Sequence, residues 1–233
     1  MNSFVFDLDD TLTDARQVID NDFKNFMHEF AGNNSCYICT GSDYGKIVEQ
    51  IGTDLCNQFE TIFACSGNHH LKQGKEIYKS KWQLTSDQQG FLIKELSNNT
   101  HFKYNPSTGN HLELRTGSAN LSIPGRNATQ KQRDEFEIWE KANKSREPIA
   151  ERFNKLFPDC EAIVAGVTGI DIFEKGKSKA QVKALLSNII FFGDRCYPGG
   201  NDYPLSSIVD THFQIDNGWK QTFEILKNQY HNH

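Results

Sequence analysis

Asp7, Asp9 and Asp10 crowd together directly after the apolar run Phe4-Val5-Phe6, with Thr11 and Thr13 close behind. Gathered carboxylates repel one another and are costly to desolvate, so a cluster at the end of a buried strand calls for a counter-ion. Two further oxygen-rich groups occur, Thr40-Gly41-Ser42-Asp43 and Asp194 with Asn201-Asp202. Each follows a segment that reads as a strand. In an open α/β sheet, ligands bind beyond the carboxyl ends of the strands. Oxygen ligands with no thiolate or imidazole beside them suit a hard cation such as Mg2+, which keeps several waters and commonly takes a phosphate oxygen as well. The chemistry this predicts is phosphoryl chemistry.

The elements that must position these residues follow from periodicity. Ser3–Phe6 and residues 36–39, 60–64 and 189–192 read as strands. Phe23, Phe26, Met27 and Phe30 form a helical stripe over 21–30, and 44–51 and 179–186 also read as helices. Alternating β and α elements predict a parallel sheet with helices on both faces. The middle differs. Residues 76–82 and 111–114 look like antiparallel strands, and 85–96 is a helix that starts at a Ser/Thr cap. A long helical stretch over 129–157 is interrupted at Pro148, and 162–164 and 170–173 are further strands. The expectation is therefore an α/β fold: a Rossmann-like core from residues 1–81 and 178–233, interrupted by an inserted α+β domain over 82–177. The closing residues 229–233 read as a frayed tail.

Composition bounds the partners. The 233-residue chain carries a net charge of -5 with 37% hydrophobic residues, which argues against a general nucleic-acid or membrane-surface binder. No apolar stretch approaches a membrane span, and Asp7 lies too near the start for a signal peptide, so a cytoplasmic protein is expected. Cys36 and Cys39 invite a zinc reading, but residues three apart on a strand point to opposite faces, so the six cysteines read as buried structural thiols.

The motifs also carry a resemblance. "DLDDTLT", "TGSD" and "GDRCYPGGND" resemble the first, second and fourth motifs of the haloacid-dehalogenase (HAD) superfamily, and Lys179 in "GKSKAQ" fits its lysine. The whole chain resembles the eukaryotic-type phosphomannomutase family of that superfamily, in which the inserted domain is a cap. The carriers are Arg16 in "DLDDTLTDARQ", the set Arg115, Arg126 and Arg133 in "ELRTGSANLSIPGRNATQKQRDEF", and the extended "FFGDRCYPGGNDYPL".

That resemblance implies roles. Asp7 is the nucleophile that forms an aspartyl-phosphate, and Asp9 the general acid and base. Mg2+ is held by the Asp7 carboxylate, the Asp9 carbonyl and Asp194, with Asp202 or Asn201 orienting it. Ser42 binds the transferring phosphoryl group and Lys179 offsets charge beside it. Arg16, Arg115, Asn120, Arg126, Arg133 and Asp171 contact a hexose phosphate, the cap arginines taking the phosphate that is not reacting. Pairing with Glu135 and Glu137 is the plainer fate for Arg133. The family has glycine where this chain has Asp10, serine at Gly169, "SPIGR" for "SIPGR", "GWDK" for "GKSK" and "PENG" for "ACSG". The implied function is a Mg2+-dependent phosphohexomutase interconverting mannose 6-phosphate and mannose 1-phosphate, activated by hexose 1,6-bisphosphate and dimeric through the cap. A sugar-phosphate phosphatase is the alternative, and a non-enzymatic sugar-phosphate-binding relative the third reading.

Overall fold

The structure, a computed structural model, describes residues 2–97 and 108–230. The chain divides into two compact units. Met1–Ser80, Lys177–Pro198 and Asp202–His233 form the first, and Lys81–Gly176 with Gly199–Asn201 form the second.

The first unit holds β1 (Ser3–Phe6), α1 (Asn21–Asn33), β2 (Ser35–Cys39), α2 (Tyr44–Cys56), β3 (Thr61–Ala64), β4 (His69–Lys72) and β5 (Lys75–Lys79). After the second unit the chain returns as a 3₁₀ segment (Lys179–Ala184), β10 (Ile189–Gly193), α6 (Tyr203–Ser206), β11 (Thr211–Gln214) and α7 (Trp219–Gln229). Its seven-stranded sheet has the order β11-β10-β1-β2-β3-β4-β5. The strands from β11 to β3 pair in parallel, and the β4–β5 hairpin adds an antiparallel edge. Side chains alternate across β1. Phe4 and Phe6 pack with Phe23, Met27, Phe30 and Phe192 on one face, while Val5 joins Cys39, Phe63, Val182 and Phe191 on the other. Cys36 and Cys39 fall on those opposite faces, and burial pushes the Cys39 thiol up to about 12.

The second unit contains α3 (Ser86–Ser97), β6 (Leu112–Arg115), β7 (Ser118–Ser122), α4 (Gln130–Asn143), α5 (Arg146–Leu156), β8 (Cys160–Ala165) and β9 (Gly169–Glu174). Its sheet is antiparallel, in the order β6-β7-β9-β8. Leu92, Phe136, Ile149 and Phe153 from the helices pack with Leu121, Ile170 and Ile172 to make its core.

Several elements differ from the sequence expectation. The segment read as a strand over 76–82 is the edge strand β5 of the first sheet and ends at Lys79. Helix α2 runs on past Ile51 to Cys56, across a break where Gly52 takes φ +79°. The helical stretch breaks at Lys144, which is left-handed, while Pro148 sits inside the first turn of α5. A first-turn N–H has no intrahelical acceptor, so proline loses nothing there. Residues 179–184 form a 3₁₀ segment where an α-helix over 179–186 was expected. The tail is not wholly frayed: Gln229 closes α7 and the Tyr230 ring packs edge-on against Phe4 at 5.1 Å, while 231–233 lie outside the described residues. Among the described residues no helix is long and apolar enough to cross a membrane.

Candidate active site

Asp7 follows β1 directly, and its backbone N–H still donates to the Phe192 carbonyl, so the carboxylate stands at the carboxyl edge of the parallel sheet. Asp194 follows the neighbouring strand β10. Asp202 precedes α6, and Lys179 opens the 3₁₀ segment. The Lys179 ammonium lies 2.7 Å from Asp7 Oδ1 and 2.6 Å from Asp202 Oδ1, with all three side chains buried. The Arg195 backbone N–H donates to Asp202 Oδ2 at 3.1 Å. Residue 193 is glycine for a steric reason: a Cβ there would sit 2.6 Å from Asp202 Oδ2.

Two of the acids share the Lys179 ammonium, and Asp194 Oδ2 lies 3.3 Å from Arg195 Nε. Burial pushes Asp7 up to about 7, with Asp202 adding repulsion and Lys179 opposing it. Burial and the Asp7 and Asp202 charges push Asp194 up to about 8. Burial works against the Lys179 charge, but attraction to Asp202 and Asp7 wins and holds its pKa well above the usual lysine value.

The acids fit a hard cation. Asp7, Asp194 and Asp202 each bring a carboxylate oxygen within 4.8 Å of the others, an all-oxygen set of the kind Mg2+ prefers. Asp7 Oδ1 pairs with Lys179 by charge yet lacks a well-aligned hydrogen bond, and Asn201, next to Asp202, has a buried Oδ1 with no hydrogen-bond partner. Buried oxygens in that condition are what a cation satisfies.

Asp9 is half-buried; its carboxylate is not one of the three that converge, but its charge adds to the repulsion on Asp7. Its Oδ1 accepts the Arg16 backbone N–H at 2.9 Å, and Ser42 Oγ donates to its Oδ2 at 3.5 Å. The Arg16 side chain is exposed on a backbone with φ +63°. Asp10 takes φ +56°, the left-handed region that glycine occupies freely, and its Oδ1 accepts the Ala15 N–H, a local bond that lets aspartate tolerate the site. This gives a physical reason for glycine at that position in the resembling family.

The second unit carries its own polar cluster. Glu113, Asn120 and Asp171 are cross-strand neighbours on β6, β7 and β9. Asn120 donates to Asp171 Oδ1 at 2.8 Å, and Arg115 Nη1 lies 3.6 Å from the same oxygen. Arg115 and Arg126 both reach Glu113. Arg126 follows Gly125, where φ is +86° and a Cβ would sit 2.6 Å from the Gly109 carbonyl oxygen, so glycine is required to seat it. Arg133 turns inward and donates to the Ala128 and Arg126 carbonyls at 3.1 Å, bracing the turn that carries Arg126. Glu135 and Glu137 pair instead with Lys131 and Lys141. Gly169 lies against this cluster: a Cβ there would meet Asn120 Nδ2 at 2.5 Å.

Sequence reading missed Glu113, whose signal was its place two residues before Arg115 on a strand, hence on the same face. It also passed over the clamp behind the cluster. Buried Glu140 accepts from Arg146 Nε at 2.8 Å, and Arg146 Nη1 donates to the Gly166 and Gly169 carbonyls at 2.9 and 3.1 Å.

Comparisons with known proteins identify the family and the fold. A family model described as eukaryotic phosphomannomutase matches residues 23–230, a span that begins after Asp7, Asp9 and Arg16. A phosphomannomutase of Arabidopsis thaliana is 33% identical over 213 residues, covering 86% of this chain and 85% of that one. One from Solanum lycopersicum is 33% identical over 211 residues, with 86% and 83% covered. Among solved structures, a HAD subclass IIB sugar phosphatase aligns with a TM-score of 0.56 at 14% identity, covering 97% of this chain and 99% of that one, which shows the shared fold. With the family model matched over most of its length, this chain belongs to the eukaryotic phosphomannomutase family.

Proposed function

We propose that the protein is a Mg2+-dependent phosphohexomutase that interconverts mannose 6-phosphate and mannose 1-phosphate. The observation that carries the reading is the buried Lys179 bridging Asp7 and Asp202 beside Asp194, in a chain of this family. Asp7, Asp194 and Asp202, with Asn201 and the Asp9 carbonyl, would hold the cation, which when bound supplies charge neutralisation for the phosphoryl oxygens.

In this reading an Asp7 oxygen attacks a sugar phosphate, and the bond from phosphorus to the sugar oxygen breaks. Asp9 delivers the proton that the leaving oxygen requires. In the productive cycle the aspartyl-phosphate meets mannose 1-phosphate. Asp9 takes the proton from the 6-hydroxyl, and that oxygen accepts the phosphoryl group to give the 1,6-bisphosphate. The bisphosphate turns round, and Asp7 takes the phosphoryl group from O1, leaving mannose 6-phosphate. Lys179 opposes the rise that burial forces on the Asp7 carboxyl, and Ser42 steadies the phosphoryl oxygens. Arg115 and Arg126, with Asn120 and Asp171, read the rest of the sugar phosphate, Arg133 braces the turn that carries Arg126, and Arg16 contributes from the first unit. The second unit then serves as a cap, and the protein works in the cytoplasm as a homodimer through it.

A phosphatase differs only in letting water attack the aspartyl-phosphate. Gly169 in place of the family's serine favours some leakage of that kind. The test is product analysis with mannose 1-phosphate and catalytic amounts of hexose 1,6-bisphosphate. Mannose 6-phosphate with little free phosphate is expected. Stoichiometric phosphate release without isomerised sugar, at every bisphosphate concentration, would transfer the assignment to a phosphatase.

A further inference from the structure

We infer that Glu113 is a positioning residue that presets Arg115 and Arg126 for an anionic substrate; the inference rests on the reading above that these arginines meet a sugar phosphate. A single carboxylate oxygen, Oε2, accepts from Arg115 Nε at 3.0 Å and from Arg115 Nη2 at 2.6 Å, and Arg126 Nε lies 3.1 Å from the same atom. The side chains of Glu113, Arg115 and Arg126 are 22%, 10% and 16% exposed, so this is no loose surface pair. Arg126 Nη1 continues to Asn120 Oδ1 at 3.5 Å, Asn120 Nδ2 to Asp171 Oδ1 at 2.8 Å, and Arg115 Nη1 returns to Asp171 at 3.6 Å. The five side chains close a ring, and its two guanidinium and two carboxylate charges balance.

The strands dictate this arrangement. Glu113, Asn120 and Asp171 stand in one cross-strand row, and Arg115 lies two residues along on the same face. Two guanidiniums brought together repel, and each is a flexible side chain that loses rotamer freedom on binding. A carboxylate shared between them offsets the repulsion and fixes both orientations before the substrate arrives. The entropy lost at binding falls accordingly. Glu113 thus acts on phosphate recognition through the arginines, without touching the reacting atoms.

The test is Glu113→Gln, which keeps shape and removes charge, with Glu113→Asp as the shorter variant that keeps it. The Gln variant is expected to raise KM for the hexose phosphate about tenfold with kcat within about twofold, and Asp to recover part of the loss. The Nε–Hε NMR signals of Arg115 and Arg126 in the full chain should broaden or merge with those of exposed arginines in Glu113→Gln. An unchanged or lowered KM would mean that the carboxylate is idle or competes with phosphate, and would overturn the inference. So would loss of folding in both variants, or a matched fall in kcat and thermal midpoint, since Glu113 would then be a structural residue. Failure of the wild-type chain to turn over any hexose phosphate would sink the mutase reading alone, because the two arginine signals still report whether Glu113 holds them.

Discussion

Lys179→Met isolates the electrostatic logic of the acid cluster. Methionine keeps most of the volume and the apolar stem, so packing is nearly conserved while one charge disappears. The lysine side chain is 1% exposed and serves Asp7 and Asp202, whose side chains are 6% and 0% exposed. Removing one partner of a buried ion pair costs about 3–5 kcal/mol, because the remaining charge is left uncompensated. Two carboxylates lose their partner here, which places the expectation at about 4 kcal/mol at pH 8 without divalent cations.

The penalty must also depend on pH. Lys179, with its pKa held above the usual lysine value, stays charged in both states between about pH 5.5 and 8 and contributes no slope there. Asp7, pushed up to about 7, and Asp194, up to about 8, hold protons in the native state that the unfolded chain releases from about pH 4 upward. Stability from these groups therefore falls as pH rises through that window. In the variant the acids take up protons more readily still, so at about pH 5.5 the loss should shrink to about 2 kcal/mol or less. Urea unfolding of both proteins at the two pH values, followed by circular dichroism, measures the difference. Should the two units unfold in separate transitions, the effect is expected in the one that carries Lys179. A loss under about 1 kcal/mol at pH 8, or one that does not change with pH, would refute the view that Lys179 is the counter-ion of the cluster.

Much of the parallel core was legible because its strands are continuous apolar runs ending in polar clusters. Ser3–Phe6 reads the same in sequence and structure, and β10 differs from the expected strand only by Gly193. The family itself was legible too, since the motifs stand at strand ends in a fixed order. Strand β7 was missed because Ser118, Asn120 and Ser122 look like a loop; Asn120 is buried because it faces Glu113 and Asp171 across the sheet, and Ser122 Oγ reaches Thr168. Strand β11, with the polar sequence Thr-His-Phe-Gln, hid for a similar reason. Helix α7 had a readable stripe in Trp219, Phe223 and Leu226 that was not assigned. The sequence named Asp7, Lys179, Asp194 and Asp202 and the arginines of the second unit, but not the partners that each of them meets. Nothing in spacing alone says that Arg133 will turn onto backbone carbonyls, or that Glu113 will join two arginines, because both depend on which strands become neighbours.

Asp7→Asn should abolish turnover with the fold intact, since an amide is a poor nucleophile; retention of even a tenth of the rate would end the covalent reading. Mg2+ must displace protons from Asp7 and Asp194, so its apparent Kd by calorimetry should tighten about tenfold per pH unit for each proton released as pH rises from about 5.5 to 7; a flat profile would show that the cluster holds no protons. Arg126→Ala should weaken hexose phosphate binding by about 1.5–3 kcal/mol while sparing a small aryl phosphate, and equal losses on both would assign it to the fold. Gly169→Ser restores the residue that the family resemblance implies, at a position where the backbone φ is ordinary and only space is limiting. The added Cβ would meet Asn120 Nδ2 at 2.5 Å, and that amide is held by Asp171, so the substitution should destabilise the second unit by about 1–3 kcal/mol. If crowding against Asn120 is the cause, Asn120→Ala should cost less in the Gly169→Ser background than in the native chain, a coupling that a double-mutant cycle in urea measures directly. Strict additivity would show that Asn120 yields freely, and that this chain dispenses with the serine for a reason other than space.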